Sequence, residues 1–457
     1  MAEGNRQLEI YVRNVRARFE EMLAQAVEIP SISMDPAYAT DIRRMAQLAA
    51  DYLRDAGAEA HIVETAGYPI VSGGWTIDPA YPTVTIYNHM DVQPAQEPEW
   101  LQAPFAFRRK NGFYHGRGAT DDKGPALTTL FAARYAMERG LPINIRFLWE
   151  LEEENGSPSF AAALKDRTRI PRPDSVVVSD TIWISKHRPA LPYGLRGLLG
   201  ARLTLRTGEK DAHSGLTGGA ARNPLTELAE LAHRCVDAET GRVKIPGFYD
   251  DVVKPTKDEM KSFLASGFHV GRFMTAYGFQ SLRTKDPAEI LQRIWALPTF
   301  EVHGLTGGYH GPGVKTVVPA HGELKVSMRL VPNQTPDKAF QLLKRFVAHC
   351  NPRVKVEREG RLEPFKGAFS GPYVAAVRKA VKAGFGKDPA LIREGGSIGA
   401  VVSMQRAWKV PILFLGLSLP EHGYHAPNEY FDWGQASGGM KAFVHYFEEL
   451  AKMGRLG

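Results

Sequence analysis

The sequence predicts an α/β fold in which a mainly parallel sheet with flanking helices is interrupted by an inserted α+β domain. Three observations predict it. Short apolar runs alternate with amphipathic stretches in the first and last parts of the chain, the pattern of strand and helix units that build a parallel sheet. The middle carries strands that alternate apolar and polar residues, which suits an antiparallel sheet with one solvated face. At 457 residues, the chain is also longer than one hydrophobic core usually supports.

The elements follow in order. Residues 8–29 space Leu, Tyr, Val, Phe and Met at helical intervals, and residues 38–56 do the same up to Gly57, a plausible C-cap. PTVTIYNHMD reads as a buried strand ending near Asn88. GPALTTLFAARYAMERG predicts a helix from Gly124 to Gly140. INIRFLWE is a strand ending near Glu150, DSVVVSD one ending at Asp180, and VPILFLGLS a late one. In the middle, GARLTLR at 200–206 alternates like a half-buried strand, and a helix runs from Pro224 to about Asp237. A polar insertion occupies 248–290, and FEVHGL and GELKVSMRLV are two more alternating strands. TPDKAFQLLKRFVAHC is an amphipathic helix with Thr335 as cap and Pro336 in the first turn, and RVKVERE closes the set. The expected division is 1–197 and 365–457 as two parts of one domain, with 198–364 inserted between them.

Composition excludes several classes. With 44% apolar and 23% charged residues the chain is neither disordered nor fibrous. Its 57 basic and 50 acidic residues give +7, yet no Lys/Arg run or aromatic–basic stripe accompanies that charge, so no nucleic-acid partner is expected. Cys235 and Cys350 have no metal-binding spacing and fit a reduced, cytoplasmic setting. No signal peptide is visible, and Val410–Pro420, the most apolar stretch, is too short to span a bilayer, so no membrane association is expected.

The informative feature is where acids and histidines fall. His89 and Asp91 follow one strand, Asp121 and Asp122 lie in GRGATDDKG, Glu152–Glu154 follow a second strand, Asp180 ends a third, and His425 lies beyond a fourth. Ligands of open α/β sheets bind at the carboxyl ends of strands, so these residues should converge. Packed carboxylates repel unless a cation relieves them. Imidazoles with carboxylates suit zinc, or manganese and cobalt. Two divalent ions with Asp121, Glu154 and Asp180 would leave a formal +1, which one hydroxide neutralises at near-neutral pH. Each piece alone has an ordinary reading: HxD as a core histidine beside an acid, DDKG as a helix start, EEE as a solvated face, Asp180 as a cap, His425 as a loop hydrogen-bonder. Their ordered conjunction favours the metal.

NHMDV, GRGATDDKG, EEENGS, VVSD, KDAHSG, RLVPNQTP, REGGSI and YHAPNE together resemble the co-catalytic di-zinc family that includes aminoacylase, carnosine dipeptidase and glutamate carboxypeptidase, most closely its carnosine-dipeptidase branch. The resemblance implies a di-metal catalytic domain with a ferredoxin-like insert that serves as lid and dimer interface. It implies that His89, Asp121 and Asp180 hold one metal, that Asp121, Glu154 and His425 hold the other, and that Asp121 bridges. Asp91 would orient His89 through its far nitrogen. Glu153 would be general base and then acid, with Glu152 an extra acid outside the ligand set. A cis peptide is implied between Asp121 and Asp122. His213 would reach the partner subunit's site and polarise the scissile carbonyl. Arg329 would pair with a substrate carboxylate, Thr316 and Ser397 would add hydrogen bonds, and Gly395 and Gly396 would let the backbone approach the ligand.

The activity implied is hydrolysis of an amide bond in dipeptides or small peptides by a metal-bridging hydroxide, in a homodimer. The alternatives are an N-acyl amino acid deacylase acting on acetyl, succinyl or carbamoyl groups, and a catalytically silent binding protein. Asn155 and Pro158 around Gly156–Ser157, Tyr424 where a small residue is common before the histidine, and the 248–290 insertion depart from the family pattern or vary within it. None of them is expected to touch a metal ligand. The net charge fits a taste for anionic substrates, with Arg329 as one contributor.

Overall fold

The computed structural model of the protein describes residues 2–455. Its main sheet has six strands in the order Glu59–Val63, Ile70–Trp75, Asn144–Glu150, Thr83–His89, Ser175–Val178, Ile412–Phe414. The last four run parallel and the first two pair antiparallel at the edge. These central strands are apolar on both faces because helices cover both. Successive residues part to opposite sides: Ile86 and Val177 join one core with the helices Ala39–Asp55, Gly124–Glu138 and Trp433–Met453, while Tyr87, Val176 and Val178 join a second core with the helix Gly399–Trp408.

The middle of the chain forms a four-stranded antiparallel sheet in the order Glu301–Thr306, His321–Leu330, Gly197–Arg206, Lys355–Leu362. With the helices Pro224–Cys235 and Pro336–Cys350 the chain order is β-α-β-β-α-β, the ferredoxin-like arrangement. Strand Gly197–Arg206 buries every other residue, and Leu199, Ala201, Leu203 and Leu205 pack under the two helices.

The structure departs from the sequence reading in three places. The single helix expected over 8–29 is two, Ala2–Asn14 and Arg16–Val27. A three-stranded sheet of Phe365–Lys366, Ala190–Leu195 and Ala390–Glu394 had no sequence signal, since its strands are short and come from distant segments. The 248–290 segment is not simply polar: it holds the helices Lys257–Leu264 and Val270–Ala276, and Phe268, Phe273, Tyr277 and Phe279 pack on one another beside the central cleft. No helix among the described residues is long and apolar enough to cross a membrane.

Candidate metal centre and its cleft

The parallel strands end side by side, and the loops leaving them carry the acids and histidines. Strand Thr83–His89 delivers His89 as its last residue. The turn after Asn144–Glu150 carries Glu153 and Glu154, and Asp180 follows Ser175–Val178. The loop before Gly124–Glu138 carries Asp121, joined to Asp122 by a cis peptide. His425 arrives from the loop after Ile412–Phe414.

These side chains meet. His89 Nε2 lies 2.9 Å from Asp121 Oδ1 and 3.9 Å from Asp180 Oδ2. His425 Nε2 lies 3.0 Å from Asp121 Oδ2 and 3.3 Å from Glu154 Oε2. Asp121 thus faces one histidine with each oxygen.

Three carboxylates outside this set hold the loops in place. Asp91 accepts from Ser33 Oγ at 2.6 Å and from the backbone N–H groups of Glu153 and Glu154 at 3.2 and 3.0 Å. His89 Nδ1 is nearer to the Asp91 main-chain oxygen, 3.0 Å, than to its carboxylate, 3.5 Å. The carboxylate therefore acts mainly on the glutamate turn. Glu429, fully buried, accepts from Gly118, Thr120 and Asp121 backbone N–H groups at 3.0, 2.9 and 3.1 Å and from Arg117 at 2.8 Å. Glu152 accepts from the Tyr68 and Ser159 N–H groups at 2.8 and 3.2 Å, a purely architectural role.

The electrostatics are those of crowded acids without enough positive charge. Burial, and then neighbouring carboxylates, push Glu154 above its ordinary range. Burial also pushes up Glu153, Asp180 and Asp122. Burial would raise Asp121 too, but hydrogen bonds from His425 and His89 hold it well below. His425 is pulled up to about 11 against burial by Asp121 and Glu154, and His89 rises likewise. A dication would relieve all of these conflicts at once.

The donor set fits such an ion. One oxygen, nitrogen or carboxylate atom from each of His89, Asp121 and Glu154 lies within 4.8 Å of the others, and the same holds for His89, Asp122 and Asp180. Glu154 Oε1 and Asp122 Oδ1 are buried with no hydrogen-bond partner, which is costly unless something else satisfies them. The mixture of imidazole and carboxylate suits zinc, manganese or cobalt.

The cluster opens into a cleft of about 1690 Å³ also lined by Glu153, Arg329, Gly396 and Ser397. Arg329 donates to Ser397 Oγ at 3.2 Å. A Cβ on Gly396 would meet open space, whereas one on Gly395 would strike the Arg196 guanidinium; the first glycine makes room for a side chain of the protein itself. His213 and Thr316 lie beside one another on a two-stranded ribbon, where the Ser214 N–H donates to the Thr316 carbonyl at 2.9 Å. Both are exposed, and neither lines the cleft of its own chain.

Another expectation is overturned. Tyr424 does touch the acid and histidine cluster: its hydroxyl donates to Asp180 Oδ1, and its ring stacks on His425 at 5.6 Å between centroids. Sequence reasoning also missed Glu429 as the anchor of the Asp121 loop, although YHAPNE contains it, and Glu394, a half-buried acid pushed up to about 8 by desolvation and Asp180.

The chain is similar to known proteins along nearly its whole length. It is 30% identical over 450 residues to the β-Ala-His dipeptidase of Rattus norvegicus, covering 94% of this chain and 91% of that one. It is 32% identical over 461 residues to the Cys-Gly metallodipeptidase dug1 of Schizosaccharomyces pombe, covering 95% and 96%. The crystal structure of human carnosine dipeptidase 1 superposes with a TM-score of 0.86 at 28% identity, over 98% of both chains. Residues 85–449 match peptidase family M20/M25/M40. With acids and histidines of the family's metallopeptidase kind gathered at its strand ends, this chain belongs to peptidase family M20/M25/M40.

Proposed function

We propose that this protein hydrolyses the peptide bond of dipeptides, using divalent ions held by His89, Asp121, Glu154, Asp180 and His425. The observation that carries the reading is the convergence of these five side chains, in a chain whose similar proteins are named as dipeptidases. We take the ions to be two per subunit, zinc by preference and manganese or cobalt as substitutes. When bound, they supply a water of lowered pKa and an electrophile for the substrate carbonyl.

The protein's own groups do the rest. Glu153 stands half-buried in the cleft beside Glu154. It takes the proton of the attacking water and passes it to the departing amine. Asp91 fixes the turn that aims Glu153. Arg329, with Ser397 against it and Gly396 open to the cleft, meets the substrate carboxylate.

His213 and Thr316 would act from a second copy of the chain, with 198–364 serving as lid and dimerisation domain. Their ribbon supports this: Leu216 and Val314 beside them are 85% and 92% exposed, more apolar surface than an isolated tip needs. His213 would then stabilise the developing oxyanion of the partner's substrate. The free Cys235 and Cys350 fit a cytoplasmic location.

The test is Glu153→Ala. Metal content by elemental analysis should stay at the wild-type level while turnover falls by about 10²-fold or more. Full activity in that variant would sink the reading. A panel of dipeptides against N-acetyl and N-succinyl amino acids decides between a dipeptidase and a deacylase built on the same centre.

A further inference from the structure

Arg196 and Arg329 flank the 395–397 loop in the cleft that holds the acid cluster. Ser397 stands between them: it receives a hydrogen bond from Arg329 Nη1 at 3.2 Å and donates to the main-chain oxygen of Arg196. The Arg196 side chain crosses the loop, with Nε donating to Gly395 O at 3.3 Å and Nη1 to Arg293 O at 3.4 Å. A Cβ on Gly395 would lie 2.9 Å from Arg196 Nη2, so the glycine is what lets the guanidinium lie there.

Neither guanidinium has an ion-pair partner among the described residues; their contacts are carbonyl and hydroxyl oxygens. Burial, then the adjacent Arg329, brings Arg196 down to about 10, and burial lowers Arg329 as well. The one acid that Arg196 senses, Glu301, is exposed at the start of its strand. Two like charges held close with no ion-pair partner of their own are costly unless an anion joins them. The α-carboxylate of a dipeptide neutralises one of the two.

We propose that Arg196 and Arg329 form a dicarboxylate subsite, and that the preferred substrates are dipeptides whose C-terminal residue is aspartate or glutamate. The inference rests on the reading above that Arg329 meets the C-terminal end of the substrate. The side-chain carboxylate adds the second negative charge, and a guanidinium fork donates to it in two-pronged fashion.

The test compares kcat/KM for Ala-Glu, Ala-Asp, Ala-Gln and Ala-Ala with the metal-loaded protein. Ala-Glu or Ala-Asp should exceed Ala-Gln by about tenfold or more, because an unfilled charged site penalises the neutral analogue. In Arg196→Met the ratio of acidic to amide substrate should collapse towards one. A loss that is equal for both substrates would mean that Arg196 only props the loop, and would overturn the proposal. Inhibition of the wild type by glutarate against butyrate gives a second readout that needs no variant: glutarate should bind about tenfold tighter, and equal binding would overturn the proposal. If none of the dipeptides is cleaved, the proposed function itself fails; if they are cleaved without acidic preference, only this inference fails.

Discussion

The hydroxyl of Tyr424 donates to Asp180 Oδ1, leaving Oδ2 to face His89 Nε2 at 3.9 Å. One oxygen of this acid is therefore committed to the protein and one is turned to the cluster. The Tyr424 ring also lies against His425. A single side chain thus braces one acid and one imidazole from two separate loops.

Tyr424→Phe keeps the ring and removes the donor. Metal retention at the Asp180 half of the centre should fall by about 10–100-fold, the usual effect of losing a hydrogen bond to a metal ligand. Competition with a chelator measures the affinity, and the absorption spectrum of the cobalt-loaded protein should change as Asp180 gains freedom to use both oxygens. Unchanged affinity and spectrum would show that Tyr424 merely fills space.

Glu429 makes a different kind of prediction. Its carboxylate receives three backbone N–H groups and the buried Arg117. Glu429→Ala would strand that guanidinium in the interior, a change that costs about 3–5 kcal/mol. Chemical denaturation should report a loss of this size, with metal affinity falling too because the Asp121 loop is released.

Metal removal should have a pH signature. Glu153, Glu154, Asp122 and Asp180 are raised by burial and its neighbours, and His89 and His425 are raised by their acid partners. Groups whose pKa is higher in the folded state stabilise the fold below their unfolded pKa and lose that contribution as pH rises. Asp121 has the opposite sign, but its window lies below about pH 4. Metal-free protein should therefore lose stability steadily from about pH 5 to pH 9. Protons compete with metal for these acids and imidazoles, so at a fixed metal concentration Kd falls as pH rises and the holo–apo gap in Tm should widen. A constant gap would contradict the crowding described above.

A second acid network ties the 248–290 segment to the strand that leads into the 395–397 loop. Glu259, on helix Lys257–Leu264, accepts from Arg393, from Lys366 at 3.0 Å and from Tyr193 at 2.9 Å. Burial would raise it, yet the Thr256 N–H, Arg393 and Lys366 bring it down to about 2. A lowered acid contributes stability above its unfolded pKa and loses it as pH falls towards the folded value, here between about 4.5 and 2. Glu259→Gln should flatten the acid-unfolding profile in that window. Because Arg393 adjoins Glu394 and the 395–397 loop, KM should rise in the same variant.

The main sheet and the convergence of acids and histidines at its strand ends were largely legible because both depend on local signals. Apolar runs mark the strands, and the acids and histidines sit at fixed offsets after them, as with His89 after TVTIYN and Asp180 after VVV. What escaped depends on contacts between distant segments. Nothing near residue 424 announces a bond to residue 180, nor near 196 a guanidinium laid over residue 395. The strand Ala190–Leu195 pairs with Ala390–Glu394 across two hundred residues and leaves no periodic trace. The aromatic residues between 268 and 279 were diluted by polar neighbours in sequence and become a patch only when the short helix Val270–Ala276 and its flanks bring them together.

The placement of His425 and Glu429 after the middle sheet in chain order also matters during synthesis. A nascent chain that has finished the middle sheet still lacks the histidine opposite Asp121 and the anchor of the Asp121 loop. It also lacks the outermost strand of the main sheet, Ile412–Phe414. Until these emerge from the ribosome, the acids already made repel one another around a half-built pocket. Assembly of the cluster therefore waits on the segment that follows the middle sheet, and a chain cut short before residue 425 would lack both the histidine opposite Asp121 and the anchor of its loop.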